Sequence, residues 1–507
     1  MKHIVAVALF LALWSCARQE PVRPNIIYIM TDDHGYQAVS AYGSGLNKTP
    51  NLDRIADEGI IFRNSFVCNS ICAPSRAAML TGKHSHANGH IDNRVRFDSS
   101  QVTFPKLLQQ AGYQTALIGK WHLKSEPTGF DYWSILPGQG SYYNPDFIEK
   151  GRTYRQTGYA TTIITDKAIE WIQQRDTARP FCLLIHHKAP HRNWMPDTMD
   201  LDLYDGAVFP VPDNFFDTYE GREAATLQEM GISKDMRMSY DLKITGTDGD
   251  SLTQSEKDYI WYLEHRMTPE QRTAWLREYD SISREFLAGR PEGDSLALYK
   301  LNRYLTDYLR TIESVDRNTG RLLDYLESAG LLENTLVVYT SDQGFYLGEH
   351  GWFDKRFMYE ESFRTPLMMR LPSSLSAHGD ISEMVQNIDY APTFLELAGV
   401  TPPPDMQGVS LVPLLSGKKK GKWRDALYYH YYEYPAEHAV RRHYGVRTDR
   451  YKLIHFYNDI DEWELYDLVE DPHEMNNLID DPEYDKVESN LRKRLAALRK
   501  EYNVPEE

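Results

Sequence analysis

Cysteine is scarce in this chain of 507 residues, which contains only four. Such a low content excludes a disulfide-stabilised scaffold, because those domains carry cysteine far more densely. Cys68 and Cys72 are near enough in sequence to pair, whereas Cys182 lies in an apolar run typical of a buried thiol.

An excess of positive charge is also missing, since the formal net charge is -17. We therefore expect no nucleic-acid partner, because phosphate backbones attract a basic surface.

The sequence also lacks an internal repeat and an apolar run long enough to span a membrane. Its first sixteen residues resemble an export signal, with Lys2 and His3 before the apolar run 4–13 and Ser15-Cys16 after it. Because Cys16 follows a small residue, this end also resembles a bacterial lipobox. We expect an exported bacterial protein, either periplasmic after plain cleavage or anchored to the membrane as a lipoprotein through Cys16 alone.

Apolar runs of strand length recur along the chain, and each ends in a polar cluster. They occupy residues 25–30, 115–118, 181–185 and 336–339. Helical patterns lie between them, at residues 104–111, 165–174 and 299–329. Strands that alternate with helices predict an α/β fold with a large, mostly parallel sheet and helices on both faces. In such folds, ligands bind beyond the carboxyl ends of the strands.

Changes in composition divide the chain further. We predict a linker at 17–24, a catalytic domain at 25–418 with a helical insertion at about 215–293, and a smaller C-terminal α+β subdomain at 419–507. Short aromatic segments predict an antiparallel sheet in that subdomain, and an amphipathic helix follows them at 483–502.

Acidic residues follow two of the predicted strands directly. Asp32 and Asp33 end the first, and Asp342 and Gln343 end the last. Carboxylate and amide oxygens form a hard, oxygen-only site that suits calcium or magnesium better than zinc. These four residues are therefore candidate metal ligands.

Cationic and imidazole side chains follow the other strand ends. The candidates are Arg76, Lys120, His122, Lys188, His191 and Lys355. In a protein of net charge -17, such a concentration of positive charge at one rim predicts a site for an anion.

Cys72 begins the run Cys72-Ala73-Pro74-Ser75-Arg76, which has no evident structural purpose. This run resembles the signature of the type I sulfatases, and other motifs of that family follow in family order. They are Thr31-Asp32-Asp33-His34-Gly35, Thr81-Gly82, Gly119-Lys120-Trp121-His122-Leu123, Ser341-Asp342-Gln343-Gly344 with Leu347-Gly348-Glu349-His350-Gly351, and Lys355 with Tyr359-Glu360-Glu361 and Arg364-Thr365-Pro366-Leu367. The similarity extends from about residue 25 to residue 413 and, more loosely, to Asp471-Pro472.

The resemblance implies an alkaline-phosphatase-like fold and a formylglycine nucleophile, made from Cys72 by a maturation enzyme of the host. It also implies one calcium ion held by Asp32, Asp33, Asp342, Gln343 and the modified Cys72. Gln343 departs from the Asn or His often found there, although an amide oxygen still suits calcium.

Roles in catalysis follow from the same resemblance. Arg76 and the metal would favour ionisation of one formylglycine hydroxyl, Lys120 would bind sulfate, and His122 would be the base that releases it. Lys355 and either His191 or Lys188 would act on the leaving oxygen or the sulfate.

The motif details are most similar to bacterial N-acetylglucosamine-6-O-sulfatases. They imply a sulfated glycan substrate, with glucosamine 6-O-sulfate in glycosaminoglycan or mucin fragments as the first choice. Candidate sugar contacts on the surrounding loops are Trp194, Glu361, Arg441, Arg442 and His443.

Three other functions remain compatible with the sequence. One is a sulfatase for galactose or uronic acid sulfates, and another is a phosphomonoesterase or phosphodiesterase of the same superfamily. The third is a non-catalytic lipoprotein that binds sulfated glycans. Cys72 favours a sulfatase, because the phosphoesterases generally use Ser or Thr and a pure binder needs no nucleophile.

Overall fold

The computed structural model describes residues 23–246, 254–375, 377–419 and 421–506. The predicted signal sequence and lipobox, and most of the predicted linker, lie outside the described residues. Among the helices of the described ranges, none has both the length and the apolar character that crossing a membrane requires.

A ten-stranded mixed sheet forms the centre of the molecule. Its strands are β1 (Asn25–Thr31), β2 (Ile60–Phe62), β4 (Gln114–Lys120), β5 (Tyr132–Leu136), β6 (Asp146–Glu149), β7 (Arg152–Arg155), β8 (Phe181–His186), β9 (Thr335–Ser341), β10 (Leu367–Arg370) and β11 (Gly379–Ile381). The spatial order is β11-β2-β10-β9-β1-β8-β4-β5-β6-β7. A separate pair joins β3 (Ser65–Phe66) to β12 (Val385–Gln386) in parallel.

The four strands predicted from sequence are neighbours in the middle of this sheet. They are β9, β1, β8 and β4, and together with β5 they run parallel. Antiparallel pairs occur towards both edges, between β9 and β10 on one side and between β5 and β6 on the other. The prediction of a mostly parallel sheet is thus confirmed for its centre, where the carboxyl ends of adjacent strands meet at one edge.

Helices cover both faces of the large sheet and one face of the predicted C-terminal sheet. The α-helices of the described residues are α1 (Pro50–Asp57), α2 (Cys72–Thr81), α3 (Ser85–Asn88), α4 (Phe104–Gln110), α5 (Ala160–Gln174), α6 (Glu223–Thr226), α7 (Gln254–His265), α8 (Pro269–Gly289), α9 (Gly293–Ser328), α10 (Glu360–Phe363), α11 (Tyr390–Leu397), α12 (Val412–Leu415) and α13 (Asp485–Glu501). The helices predicted between the strands correspond to α4, α5 and α9.

Alternation along β1 shows how the two faces are filled. Ile27 and Ile29 pack with α1, α5 and α9, whereas Ile26 and Tyr28 pack with α2, α4 and α11. Both faces of the central strands are therefore buried, which explains why these strands are continuous apolar runs instead of alternating patterns.

The predicted C-terminal antiparallel sheet is also present. It contains β13 (Ala426–Tyr431), β14 (His443–Thr448), β15 (Tyr451–Phe456) and β16 (Glu462–Asp467) in sequential order. One face of this sheet packs against α13 through Leu491, Leu495 and Leu498. Its other face packs against aromatic residues of the main domain in one continuous cluster. Because this cluster crosses the predicted boundary near residue 418, the packing does not mark that boundary. The boundary and the insertion at 215–293 therefore stay predictions.

Candidate active site

The acidic residues meet because of the sheet register. Thr31 at the end of β1 lies opposite Ser341 at the end of β9, so Asp32 and Asp342 leave neighbouring strands at the same level. The backbone N–H of Asp33 donates to Asp342 Oδ1 over 3.2 Å. The structure therefore brings together carboxylates that are about 310 residues apart in sequence, as the strand-end pattern predicted.

Each carboxylate has a cation beside it. Lys120, from the end of β4, donates to Asp32. Lys355 Nζ lies 2.6 Å from Asp33 Oδ1. The Arg76 guanidinium donates to Asp342 Oδ2 through Nε at 3.0 Å and NH2 at 2.7 Å.

All six of these side chains are buried. Three charge pairs are thus concentrated at one edge of the sheet, where a low dielectric strengthens their fields.

Burial and neighbouring charge act in opposite directions on the three acids. Burial raises the pKa of Asp33 to about 7 against the attraction of Lys355, and it raises the pKa of Asp342 to about 6 with help from the charge of Asp32. At Asp32 burial is outweighed by Lys120 and other nearby cations, which hold the pKa well below its usual range. Asp32 is therefore the most firmly ionised of the three.

The donor set fits a hard metal ion. Single carboxylate oxygens of Asp32, Asp33 and Asp342 all lie within 4.8 Å of one another. Asp32 Oδ1 and Gln343 Oε1 are buried without a hydrogen-bond partner among the described residues, and such oxygens are costly unless a ligand engages them. The Gln343 amide N–H donates to Asp33 Oδ1. Three carboxylates with an amide oxygen match the preference of calcium or magnesium.

Cys72 is the first residue of α2, and Arg76 follows one helical turn later on the same side. The Cys72 thiol, an Asp32 oxygen and a His191 ring nitrogen lie within 4.8 Å of one another. Burial raises the pKa of the thiol far above its usual value, so the unmodified side chain stays protonated and is a poor nucleophile. Cys68 is also a free, buried thiol, which rules out a disulfide between the two in this structure.

The histidines at this edge are neutral. Burial, assisted by the charge of Lys120, lowers the pKa of His122 to about 2. Burial likewise holds the pKa of His191 well below its usual range. His191 Nδ1 lies 2.5 Å from the carbonyl oxygen of Arg192, which can only accept, so Nδ1 carries the proton. His191 Nε2 is therefore a free acceptor, and it lies 3.9 Å from Asp33 Oδ2.

Both candidates from the loop after β8 reach this region. Lys188 and His191 line a cavity of about 270 Å³. It opens beside the cluster of Cys72 with the three acids and their cations, which we call the reaction centre. The electrostatic field of Lys188 extends to Asp32, Asp33 and Cys72, and burial lowers its pKa to about 8.

The structure places three predicted sugar contacts in the core and not on the lining of the cavity beside His191. Trp194 is fully buried and packs on Tyr304 at 4.6 Å between ring centroids. His443 is fully buried in the C-terminal sheet, where its Nε2 accepts from the backbone N–H of Met358. Glu361 is 4% exposed and lies in a cluster of buried carboxyl groups. None of the three lines that cavity.

Arg441 and Arg442 serve the local backbone. Arg441 donates to the carbonyl groups of Leu227 and Ala439 and pairs with Asp459. Arg442 donates to two carbonyl groups of the preceding loop. Neither arginine lines the cavity beside His191.

Residues that the sequence reasoning missed stand around Lys355 and around the cavity. Asp354 and Arg356, on either side of Lys355, are buried, and both have backbone φ in the left-handed region, at 77° and 104°. Strained backbone of this kind is frequent at ligand sites. His438 Nε2 lies 3.4 Å from Asp354 Oδ2. The run Phe353-Asp354-Lys355-Arg356 is the sequence signal that could have indicated them, because both residues adjoin the predicted Lys355.

Two family descriptions match this chain. The family described as sulfatase matches residues 24–400, and the one described as N-sulphoglucosamine sulphohydrolase, C-terminal, matches residues 348–501. The first match covers most of the chain and contains the whole cluster of acids, cations and Cys72.

Individual proteins agree with the family descriptions. The chain is 53% identical over 508 residues to an N-acetylglucosamine-6-O-sulfatase of Bacteroides thetaiotaomicron, covering 98% of this chain and 91% of that protein. It is 25% identical to an N-acetylglucosamine-6-sulfatase of Capra hircus, covering 90% and 80%. A solved structure of a protein in complex with its substrate D-glucosamine-2-N,6-O-disulfate superposes with a TM-score of 0.91 at 53% identity, covering 95% of this chain and 98% of that one.

Proposed function

Because the chain belongs to the sulfatase family, we propose that it hydrolyses the 6-O-sulfate ester of N-acetylglucosamine or glucosamine in fragments of sulfated glycans. The observation that carries this proposal is the position of Cys72 in one cluster with acids that could bind a metal ion and cations that could bind sulfate. Support for the sugar comes from the 53% identical relative named N-acetylglucosamine-6-O-sulfatase and from the similar structure that holds a 6-O-sulfated glucosamine.

Two groups absent from the unmodified chain belong to the proposal. Oxidised to formylglycine by a maturation enzyme of the host, residue 72 would supply a hydrated aldehyde with a hydroxyl that attacks sulfur. Asp32, Asp33, Asp342, Gln343 and the modified residue 72 would hold a calcium ion, which supplies positive charge beside the sulfate oxygens. The high pKa of the unmodified thiol supports the need for oxidation, because the thiol itself stays protonated.

The other side chains bind and neutralise the sulfate. Arg76 is fixed by its two hydrogen bonds to Asp342 and by a third to the carbonyl of Lys120 at 3.0 Å. Lys120 and Lys355 add two ammonium groups, so charge that develops on the sulfate oxygens meets donors already in place.

Proton transfer is divided between two sides of the sulfate. The charges of Asp33 and its neighbours outweigh burial and raise the pKa of Lys355, so its ammonium group stays charged and stabilises the leaving oxygen. His122 is neutral and can accept a proton on the side of Lys120. His191 Nε2, held as an acceptor by the Nδ1 hydrogen bond, can receive a proton and pass it to the leaving group.

Asp354, Arg356 and His438 are the best candidates for hydroxyl recognition on the sugar. They lie next to Lys355, and Arg192 NH1 lies 3.4 Å from His438 Nε2, so the polar wall continues to the cavity beside His191. Bidentate carboxylate and guanidinium groups are well suited to sugar hydroxyls.

Export, with or without a lipid on Cys16, belongs to the same proposal, because large glycans are met outside the cytoplasm.

The test is hydrolysis of a panel of defined esters by protein made in a host with the maturation system. We expect release of sulfate from N-acetylglucosamine 6-sulfate, and peptide mass spectrometry should find formylglycine at position 72. Faster release from galactose or uronic acid sulfates would reject the proposed sugar. Hydrolysis of phosphate esters alone, or activity with only unmodified cysteine at position 72, would reject the mechanism.

A further inference from the structure

Lys188 differs from the other buried lysines of the described chain. Five of them have an oxygen partner: Lys120 has Asp32, Lys243 has Asp307, Lys300 has the carbonyl groups of Ser233 and Met236, Lys355 has Asp33, and Lys452 has Glu360 and Glu474. Lys188 is 6% exposed, and its Nζ has neither a hydrogen bond nor an ion pair among the described residues. Its direct contact is with the face of the Tyr142 ring, 4.8 Å from the centroid.

A buried ammonium group without an anion is unfavourable, because it has lost water and gained no partner. The nearest acids cannot supply that partner, since Asp32 is engaged by Lys120 and Asp33 by Lys355. In the proposed function, Arg76, Lys120 and Lys355 already supply positive charge to the scissile sulfate. Lys188 is therefore a cation in excess of what one sulfate requires.

The cavity beside Lys188 is suited to a polar substituent. Its volume of about 270 Å³ is close to the lower limit of about 300 Å³ for ligand pockets. The lining combines aromatic rings with amide and hydroxyl groups, from Gln139, Ser141, Tyr142, Asn193, Tyr240 and Tyr262. Gln139 Oε1 is buried and has no hydrogen-bond partner among the described residues.

Other charges on the lining do not cancel that of Lys188. Arg192 is held by Asp241 through two hydrogen bonds of 2.7 and 2.8 Å. Asp258 belongs to the insertion and is exposed at the rim. The inner wall of the cavity consequently presents one ammonium group among aromatic, amide and hydroxyl groups.

We propose that this cavity binds a second anionic group of the substrate, and that Lys188 is the residue that selects for it. The inference rests on the proposed function, because it places the alcohol side of the sulfate ester beside His191. Two sources of the anion share this chemistry: an N-sulfate on the same glucosamine, or the carboxylate of a neighbouring uronic acid.

The experiment compares Lys188→Met with wild-type enzyme on three substrates. These are glucosamine 2-N,6-O-disulfate, N-acetylglucosamine 6-sulfate, and a disaccharide of a uronic acid with N-acetylglucosamine 6-sulfate. Desulfated sugars are separated and quantified, so that only loss of the 6-O-sulfate is counted. Lys124→Met removes the same charge from an exposed lysine on the His122 side of the centre and is the matched control.

We expect Lys188→Met to lower kcat/KM for one anionic substrate by about tenfold more than for N-acetylglucosamine 6-sulfate, mainly through KM. Selective loss on the disulfate assigns the N-sulfate, and selective loss on the disaccharide assigns the uronic acid. Lys124→Met should change all three substrates equally. An equal loss on all three with Lys188→Met, or no loss, overturns the inference, and an equal loss would assign Lys188 to the scissile sulfate.

A second measurement uses wild-type enzyme alone, in case the variant fails to fold. Glucosamine N-sulfate and N-acetylglucosamine, which both lack a 6-sulfate, are compared as competitive inhibitors, and so are the desulfated disaccharide and its uronate methyl ester. The anionic member of at least one pair should inhibit more strongly, and equal inhibition within both pairs contradicts the inference. If wild-type enzyme hydrolyses none of the three substrates, the proposed function fails first and the inference fails with it.

Discussion

Two regions of this protein bury many charges, and they do so in opposite ways. At the reaction centre, Asp32, Asp33 and Asp342 each face a separate cation. Under the C-terminal sheet lies a second group, which we call the carboxyl seam: Glu360, Glu361, Glu464 and Glu474. Its cations are fewer than its acids, since Lys452 is shared by Glu360 and Glu474 and Arg447 pairs with Glu360.

The difference is visible in the protonation of the two regions. In the carboxyl seam, burial raises the pKa of Glu464 to about 8, and burial together with the charge of Glu360 raises that of Glu474 to about 7 despite Lys452. Glu464 accepts hydrogen bonds from Tyr359 and Tyr466, both at 2.9 Å. Glu464 is therefore neutral at pH 7 and joins β16 to Tyr359, the residue before α10, whereas Asp32 at the reaction centre stays ionised. Burial of charge alone therefore does not identify a catalytic site, whereas a cavity beside the charged cluster does.

The largest expected effect separates two buried thiols. Cys72→Ala should lower sulfate release by at least about 10⁴-fold, because it removes the proposed nucleophile. Cys68→Ala, four residues earlier and equally buried, should retain activity within a few fold. Released sulfate and thermal melting measure both variants. Comparable activity of the two would place the nucleophile elsewhere.

The second effect contrasts one acid from each region. Asp342→Asn should abolish most turnover and lower the free energy of unfolding by about 3 kcal/mol, because the buried Arg76 loses its partner. Calcium should raise the melting temperature of the wild type more than that of this variant. Glu464→Gln should keep turnover, because its carboxyl accepts hydrogen bonds from Tyr359 and Tyr466 and lies outside the reaction centre. If Glu464→Gln were the more damaging variant for activity, the distinction between the two regions would be lost.

The effect that is smallest for activity is a pH dependence of stability that belongs to the carboxyl seam. The folded pKa of Glu464, about 8, lies above the ordinary value of 4.5, so the folded state binds more protons between these pH values. Stability contributed by this group is fully present below pH 4.5 and is lost as pH rises through 8, with a slope of about 1.4 kcal/mol per pH unit. Denaturant unfolding from pH 5 to 9 should show this slope reduced in Glu464→Gln. An unchanged slope would mean that Glu464 is ionised in the folded protein.

Three of the sugar contacts predicted from sequence lie in buried positions, and one of these positions is in the carboxyl seam. Glu361 belongs to a family motif, but its carboxyl is packed against Glu349 and Glu474 in the seam. Trp194 follows His191 closely in sequence, yet the chain turns it inward onto Tyr304. A sequence shows that an aromatic or acidic residue is near a motif, but the direction of its side chain depends on tertiary packing. Asp354 and Arg356 flank Lys355 in the sequence, but only the folded chain shows that both are buried beside it with backbone in the left-handed region.

By itself, the sequence determined the central strands, the polar residues at their carboxyl ends and the sulfatase motifs. These are local properties, set by apolar runs of strand length and by residue types at fixed spacing. Tertiary structure alone decided which acid faces which cation, that the thiol of Cys72 lies beside Asp32 and His191, and that Lys188 has no acidic partner in the described part of the chain. Those facts depend on the order of strands in the sheet and on side chains that come from distant parts of the chain, and residue spacing does not encode either of them.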